Sequence, residues 1–162
     1  MNRRDTSSRG TSSASLRGVS NRVQPSEIGH IEEVETALRG VLEQWPSVRS
    51  AWLFGSLATG TAGPLSDVDV AVLGASDLTL EERARLVADL GRAVGRAVDL
   101  VVAEEASPVL AMALVETGRR FLCADVERAD AFEDLALRRY LGTAELRRIV
   151  NAYVREDLRA GR

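Results

Sequence analysis

Two neighbouring stretches decide the fold: LFGSLATG at residues 53–60 and SDVDVAV at residues 66–72. The first ends an apolar run that predicts a short buried strand over Val48–Phe54. It then enters a segment rich in Gly, Ser and Thr, which we predict to be a loop over Gly55–Ser66 with room for one helical turn. The second stretch alternates Asp with Val, and this period of two predicts a second strand over Asp67–Leu73.

The second predicted strand places two carboxylates on one face. Side chains alternate faces along a strand, so Asp67 and Asp69 lie on the same side, with Cα atoms about 7 Å apart. The other face is predicted to point toward a core, because it carries Val68, Val70 and Val72. Asp99 stands in the same way at the start of a third predicted strand, Ala97–Val102, so two neighbouring strands could bring three carboxylates together.

Three carboxylates at one point repel one another unless a cation lies between them. Ligation by oxygen alone favours magnesium or manganese over zinc. Taken by itself, an Asp-x-Asp pair is also typical of a solvated strand edge or turn. The loop that precedes the pair favours a ligand site instead.

That loop supplies groups that suit phosphate. Gly55 lets the backbone approach a ligand closely, and the Ser56 hydroxyl with nearby backbone N–H groups can hold phosphate oxygens. Ten residues separate Ser56 from Asp67, and Gly60 and Gly63 allow the loop to turn back. We therefore expect the phosphate-binding loop and the acids to meet at one site.

Helical and strand patterns continue on both sides of these stretches. Helices are predicted from Ile31 to Trp45, from Leu80 after a Thr79–Glu82 capping box, from Pro108 to Gly118 after a Ser107 cap, and over residues 126–140 and 143–158, with a short edge strand over Phe121–Cys123. The order of elements predicts an α/β (α+β) fold, in which helices pack on a small mixed sheet and further helices follow at the C-terminus.

Two groups of helical residues are predicted from periodicity and charge. The last helix carries an apolar stripe made by Leu146, Ile149, Val150, Tyr153 and Val154. Arginines in and after the helix that begins at Leu80 are interspersed with acids and are predicted to lie on a solvated face: Arg83, Arg85, Arg92 and Arg96.

The composition of the 162 residues is that of one globular domain, with 45% hydrophobic and 28% charged residues. Residues 1–24 are rich in Ser and Arg, carry a net charge of +4 and are predicted to be a disordered tail, although an acid-poor segment of this kind also fits a transit peptide. Residues 25–162 are predicted to form the domain, including the C-terminal helices.

Charge and composition also exclude several classes of function. Residues 25–162 carry a net charge of −7, which argues against general nucleic-acid binding. A single histidine, His30, and a single cysteine, Cys123, exclude a His-cluster or Cys-rich metal site, and Cys123 is predicted to be a small buried core residue. No apolar run approaches the ~18 residues of a membrane-spanning helix, so no membrane association is expected.

The two opening stretches resemble the nucleotidyltransferase motif of the DNA polymerase beta superfamily. More closely, they resemble the minimal nucleotidyltransferases encoded beside small HEPN-domain proteins, which are the antitoxins of HEPN–minimal nucleotidyltransferase modules. The resemblance extends over about Ile31–Asp157 and includes VDLV at residues 98–101 and, more loosely, GRRFL at residues 118–122 and RYL at residues 139–141. Relatives often carry arginines where this chain has Leu57 and Thr59, so a cation that could hold phosphate is absent.

The resemblance implies adenylyl transfer from ATP with two magnesium ions. Asp67 and Asp69 would hold the two metals, and Asp99 would hold one of them and help to deprotonate the acceptor. The same resemblance implies that Gly55, Ser56 and Ser66 bind the nucleotide.

The resemblance also implies a partner. The acceptor would be a tyrosine hydroxyl on a HEPN ribonuclease toxin, whose modification silences the toxin, and the two proteins could assemble into an oligomer in the cytoplasm of a bacterium or archaeon. Two other functions stay open. One is a nucleotidyltransferase that modifies a small molecule such as an antibiotic, and the other is a catalytically weak module that neutralises a toxin by binding alone.

Overall fold

The computed structural model describes residues 25–63 and 66–159. The predicted disordered tail, residues 1–24, lies outside the described residues. Within them, the helices are α1 (Pro25–Leu42), α2 (Gly55–Ala58), α3 (Leu80–Val94), α4 (Pro108–Thr117), α5 (Val126–Gly142) and α6 (Ala144–Arg159). The strands are β1 (Ser50–Phe54), β2 (Val68–Leu73), β3 (Val98–Val102) and β4 (Arg119–Cys123), and a short 3-10 turn covers Ala103–Glu105.

The four strands form one mixed sheet in the order β3-β2-β1-β4. Strand β1 is antiparallel to both β2 and β4, whereas β2 and β3 are parallel. A parallel pair needs a long crossover connection, and α3 provides it. The predicted α/β class, with helices on a small mixed sheet and two helices at the C-terminal end, is confirmed.

The alternation of β2 divides the core into two layers. Val68, Val70 and Val72 are each 0% exposed and belong to a cluster with residues of α1 and α3, as the period of two predicted. On the opposite face, Trp52 of β1 packs with residues of α4 and α5, and its ring centroid lies 5.5 Å from that of Phe132. The face that carries Asp69 is therefore the face covered by α4 and α5.

Helix boundaries follow the predicted capping signals. The Thr79 hydroxyl accepts a hydrogen bond from the Glu82 N–H and the Glu82 carboxylate accepts one from the Thr79 N–H, so the capping box is confirmed. The Ser107 hydroxyl likewise accepts from Leu110 N–H at the start of α4, and Gly118 follows its end. Helix α1 begins at Pro25, before the predicted start at Ile31, because a proline suits the first helical position.

The prediction for Cys123 was wrong, because its thiol is exposed. Cys123 is the last residue of β4, which forms one edge of the sheet, and Phe121 is the buried residue of that strand. A strand end of this kind leaves its final side chain outside the core.

The apolar stripe of α6 faces outward in the described part of the chain. Four of its members are between 44% and 62% exposed: Leu146, Ile149, Val150 and Val154. Periodicity therefore identified the stripe, but among the described residues these four belong to neither layer of the core. None of the helices among the described residues is long and apolar enough to cross a membrane.

Candidate active site

The parallel pairing of β2 and β3 brings two of the predicted acids side by side. Asp69 and Asp99 are direct register partners, flanked by the pairs Val68–Val98 and Val70–Leu100. Neighbouring strands lie about 4.8 Å apart, and register partners project to the same side of a sheet. Asp69 and Asp99 therefore share the face opposite the valine-rich core layer.

The third predicted acid, Asp67, lies immediately before β2 and is exposed. It is close enough to contribute to the electrostatics of the pair. Burial raises the pKa of the Asp69 carboxyl above its ordinary value, and the negative charges of Asp99 and then Asp67 raise it further. Asp69 is therefore the point at which the three negative charges act on one another.

Among the residues that the structure describes, no arginine neutralises any of the three acids. The ion pairs formed within residues 25–63 and 66–159 do not include Asp67, Asp69 or Asp99. An unneutralised group of carboxylates, one of them partly buried, favours binding of a cation.

Carboxylate oxygens are the donors that magnesium prefers, so the chemistry of the set fits this metal. In the part of the chain that the structure describes, however, no group of three or more His, Cys, Asp or Glu side chains is arranged to hold a metal ion. The acids thus form a pair in register with a third acid nearby, and they do not form a closed ligand cage. The predicted metal site remains a prediction.

Gly55 brings the backbone of the loop against Asp69. Its φ angle is +67°, a conformation that favours glycine, and a Cβ atom at this position would lie 2.1 Å from Asp69 Oδ2. The residue before it, Phe54, is the register partner of Asp69 on β1. Phe54, Asp69 and Asp99 therefore form a row across three strands, with the glycine at its side.

Ser56 lies in the one-turn helix α2, which follows β1 directly, as the sequence predicted for this loop. Its carbonyl accepts a hydrogen bond from Thr61 N–H at 2.9 Å, and the Thr59 hydroxyl donates to the carbonyls of Gly55 and Ser56. Gly60 has a φ of +69°, so the chain does turn back here. These hydrogen bonds hold Gly55 and Ser56 next to Asp69.

Ser66 makes a contact that sequence reasoning did not foresee. Its hydroxyl accepts a hydrogen bond from Gly63 N–H at 2.8 Å, and its own N–H donates to the Gly63 carbonyl at 3.1 Å. The Ser66 hydroxyl thus has a structural role as an acceptor, and a hydroxyl that accepts can still donate its own hydrogen to a phosphate oxygen.

Arg96 also departs from the prediction, because its guanidinium is not simply solvated. It donates hydrogen bonds to the carbonyl oxygens of Gly63, at 3.2 Å, and of Ser66. Arg83 also has partners, since it donates to the Leu78 carbonyl and to Glu105 at the surface. Charge patterning along a helix contains no signal for carbonyl partners 30 or 33 positions away, such as those of Arg96.

Comparison with known proteins places this site in a family. The family described as "Polymerase beta, Nucleotidyltransferase" matches residues 37–127, which is more than half of the chain. The chain belongs to the polymerase beta nucleotidyltransferase family. The matched range contains all six predicted site residues of this nucleotidyltransferase: Gly55, Ser56, Ser66, Asp67, Asp69 and Asp99.

Individual nucleotidyltransferases are similar over parts of the chain. Protein adenylyltransferase MntA of Shewanella oneidensis is 39% identical over 75 residues, which cover 46% of this chain and 54% of that protein. The match thus spans about half the length of this curated relative.

Solved structures agree over a larger range. A chain of a toxin–antitoxin complex with AMP-PNP superimposes with a TM-score of 0.66 at 30% identity and covers 74% of this chain and 98% of that one. A chain of the tri-AMPylated Shewanella oneidensis HEPN toxin in complex with its MNT antitoxin gives a TM-score of 0.62 at 26% identity, with 76% and 98% covered. The nucleotidyltransferase fold therefore extends well beyond the two opening stretches.

Proposed function

We propose that this chain is a magnesium-dependent nucleotidyltransferase that transfers AMP from ATP to a tyrosine hydroxyl of a HEPN ribonuclease toxin and so acts as its antitoxin. The two proteins would form a complex in the bacterial or archaeal cytoplasm. Similarity to an adenylyltransferase and to antitoxin chains solved with a HEPN toxin or with AMP-PNP supports this proposal.

The observation that carries the proposal is the register pair Asp69 and Asp99 beside the backbone of Gly55. Because Gly55 has no Cβ, the Asp69 carboxylate can lie against it, and the backbone N–H groups of the loop, which can hold phosphate, come close to the acids. The acids themselves have no arginine counter-charge among the described residues. A triphosphate with its cations would supply both the occupant and the missing positive charge.

Each residue of the proposed site has its own role in AMP transfer. Backbone N–H groups near Gly55 and Ser56 would hold the triphosphate. Asp67 and Asp69 would hold two cations and Asp99 would help to hold one of them, and when bound these cations would supply positive charge that offsets the negative charge of the reacting phosphate. Asp99 accepts the proton of the acceptor hydroxyl while the hydroxyl oxygen forms a bond to the α-phosphorus of ATP. The bond between the α-phosphorus and the oxygen that links it to the β-phosphorus breaks, so that pyrophosphate leaves.

Positioning and charge neutralisation account for most of the catalysis in such transfers. The rigid part of this site is therefore the parallel strand pair, because strand register fixes Asp69 against Asp99. The loop residues Gly55 and Ser56 are held by the hydrogen bonds of α2 and of Thr59.

The proposal is tested by incubating the protein with ATP, magnesium and the product of the gene beside its own, and by measuring the intact mass of that product. We expect a gain in steps of one AMP that is absent with Asp69→Ala. A stable complex without any mass gain would instead support neutralisation by binding alone. The absence of both a complex and a mass gain would favour a small-molecule acceptor.

A further inference from the structure

Asp67 lies outside β2, so the strand ladder does not by itself fix its orientation. Its backbone is held by two consecutive residues of the segment that joins α3 to β3. Arg96 donates to the Ser66 carbonyl, which belongs to the peptide unit before the Asp67 Cα. The carbonyl of Ala97 accepts a hydrogen bond from Val68 N–H at 2.9 Å, which belongs to the peptide unit after it.

The backbone around Arg96 explains how the guanidinium reaches this point. Helix α3 ends at Val94 and is followed by Gly95, whose φ of +66° is the left-handed conformation that reverses the chain after a helix. The chain then passes through Arg96 and Ala97 directly into β3, where Asp99 lies two residues further on. Arg96 and Ala97 therefore form hydrogen bonds with both peptide units that flank Asp67, and the same stretch of chain leads directly to Asp99.

The partners of Arg96 are carbonyl oxygens and not carboxylates. Besides Ser66, it donates to the carbonyl of Gly63, and Gly63 and Ser66 are themselves linked by two hydrogen bonds. No ion pair of Arg96 occurs among the described residues. Its donors thus act on the backbone before Asp67, and its charge does not neutralise an acid.

We propose that Arg96 is a positioning residue that orients Asp67 toward the cation site by holding the Ser66–Asp67 peptide unit. The inference rests on the proposed function, because it takes Asp67 as a metal ligand. Groups that orient metal ligands typically contribute about 10–100-fold to metal affinity. Because Ala97 still holds the other peptide unit, we expect the loss of Arg96 to weaken binding by about tenfold, at the lower end of that range.

The sign of the effect separates positioning from long-range electrostatics. Removal of a positive charge near a cation site would by electrostatics alone tighten cation binding. Removal of a positioning group would weaken it. Arg96→Met tests this difference, because methionine keeps an apolar stem and loses every donor.

The measurement is a titration of the full chain with Mn²⁺, followed by the electron paramagnetic resonance signal of the free ion. Arg92→Met is the matched control, since Arg92 lies on α3, is exposed and pairs only with Asp89 among the described residues. We expect about tenfold weaker binding for Arg96→Met and wild-type binding for Arg92→Met. Unchanged or tighter binding by Arg96→Met would overturn the proposal.

Two further variants keep the outcome decisive. If Arg96→Met does not fold, Arg96→Gln is compared with Arg92→Gln by the same criterion. Asp67→Asn tests the underlying assignment: if it binds Mn²⁺ as the wild type does, the metal role of Asp67 fails and the inference fails with it. If Asp67→Asn weakens binding and the Arg96 variants do not, only the positioning role of Arg96 is overturned.

Discussion

Acidic residues lie beside a glycine at both ends of the sheet, but the two ends differ in whether arginines pair with those acids. At the far end, Gly74 follows β2 with a φ of +97°, and its N–H donates to Glu104 Oε1 at 2.7 Å. Glu104 pairs there with Arg128, and Glu105 pairs with Arg83. At the opposite end, Gly55 lies against Asp69, and the acids have no arginine partner in the described part of the chain.

The pKa directions follow this difference. Hydrogen bonds from Arg83 lower the pKa of the Glu105 carboxyl, whereas burial, Asp99 and Asp67 raise the pKa of Asp69. An acid that is paired with an arginine contributes to the stability of the fold. An acid that lies near other negative charges and has no arginine partner is available to bind a ligand. Acids of the same sheet can thus be sorted by what neutralises them.

The largest expected effect is loss of the fold when a carboxylate is introduced at the residue of β2 that follows Asp69. Val70→Asp places a carboxylate on the valine-rich face, where Val70 is 0% exposed, and an unpaired buried charge costs about 3–5 kcal/mol. We expect an unfolded or insoluble protein by circular dichroism. A folded Val70→Asp protein would contradict the assignment of faces on which the comparison of the two ends rests.

The next largest effects are expected for Asp69→Ala and Glu104→Ala, which each remove an acid from one end of the sheet. Asp69→Ala should lower AMP transfer by about 10³-fold, since metal-ion stabilisation of several kcal/mol is lost, while the melting temperature stays equal or rises because a repulsive charge is gone. Glu104→Ala should do the reverse. It leaves Gly74 N–H and Arg128 without their partner, which costs about 1–3 kcal/mol of stability.

Transfer rates and melting temperatures of both variants measure this contrast. Activity per folded molecule should be kept in Glu104→Ala. If Glu104→Ala lost activity without loss of stability, or Asp69→Ala lost stability and kept activity, the division between structural and catalytic ends would be wrong.

Alanine substitutions at Gly55 and Gly74 should also separate an effect on activity from an effect on stability. Alanine at either position has an unfavourable positive φ, which costs about 1–2 kcal/mol. At Gly55 the new methyl group meets the Asp69 carboxylate, so Gly55→Ala should lower activity more than stability. At Gly74 it meets the backbone carbonyl of Ser47 at 2.1 Å, so Gly74→Ala should lower mainly stability. Parallel melting curves and transfer assays distinguish these results.

The smallest effect is a pH dependence of stability in the absence of metal. Because the pKa of Asp69 is raised in the folded protein, the unfolded chain binds fewer protons in the interval above the ordinary Asp pKa. Stability therefore falls as pH rises through that interval. The stabilising effect of Asp69→Asn should be absent at acidic pH and grow toward neutral pH in the presence of a chelator.

Melting temperatures across that pH range provide the measurement. Asp134→Asn, at an exposed position of α5, is the control and should show no such trend. An Asp69→Asn difference that is constant with pH would mean that repulsion among the acids does not act on stability.

Local patterns predicted much of this molecule because their causes are local. The alternation of Asp and Val along β2, the Thr79–Glu82 capping box and the one-turn helix after β1 each depend on neighbours within a few residues. The resemblance added the family, which the family match confirms.

What the sequence could not supply depends on contacts between distant segments. The register of Asp69 with Asp99 depends on the pairing of β2 with β3, and the hydrogen bond from Arg96 to the Ser66 carbonyl joins residues 30 positions apart. The packing of Gly55 against Asp69 and the outward stripe of α6 likewise require the assembled fold. Periodicity marks an apolar face without identifying what will cover it.

The position of β1 in the middle of the sheet has a consequence for synthesis on the ribosome. Its partner β2 is the next strand in the chain and begins at Val68, but its other partner, β4, lies about 70 residues later in the chain. At about 5–20 residues per second, the second edge of β1 stays unpaired for several seconds of translation. An open edge can pair with another chain, so this interval is when two nascent chains on one messenger RNA can associate before either has folded.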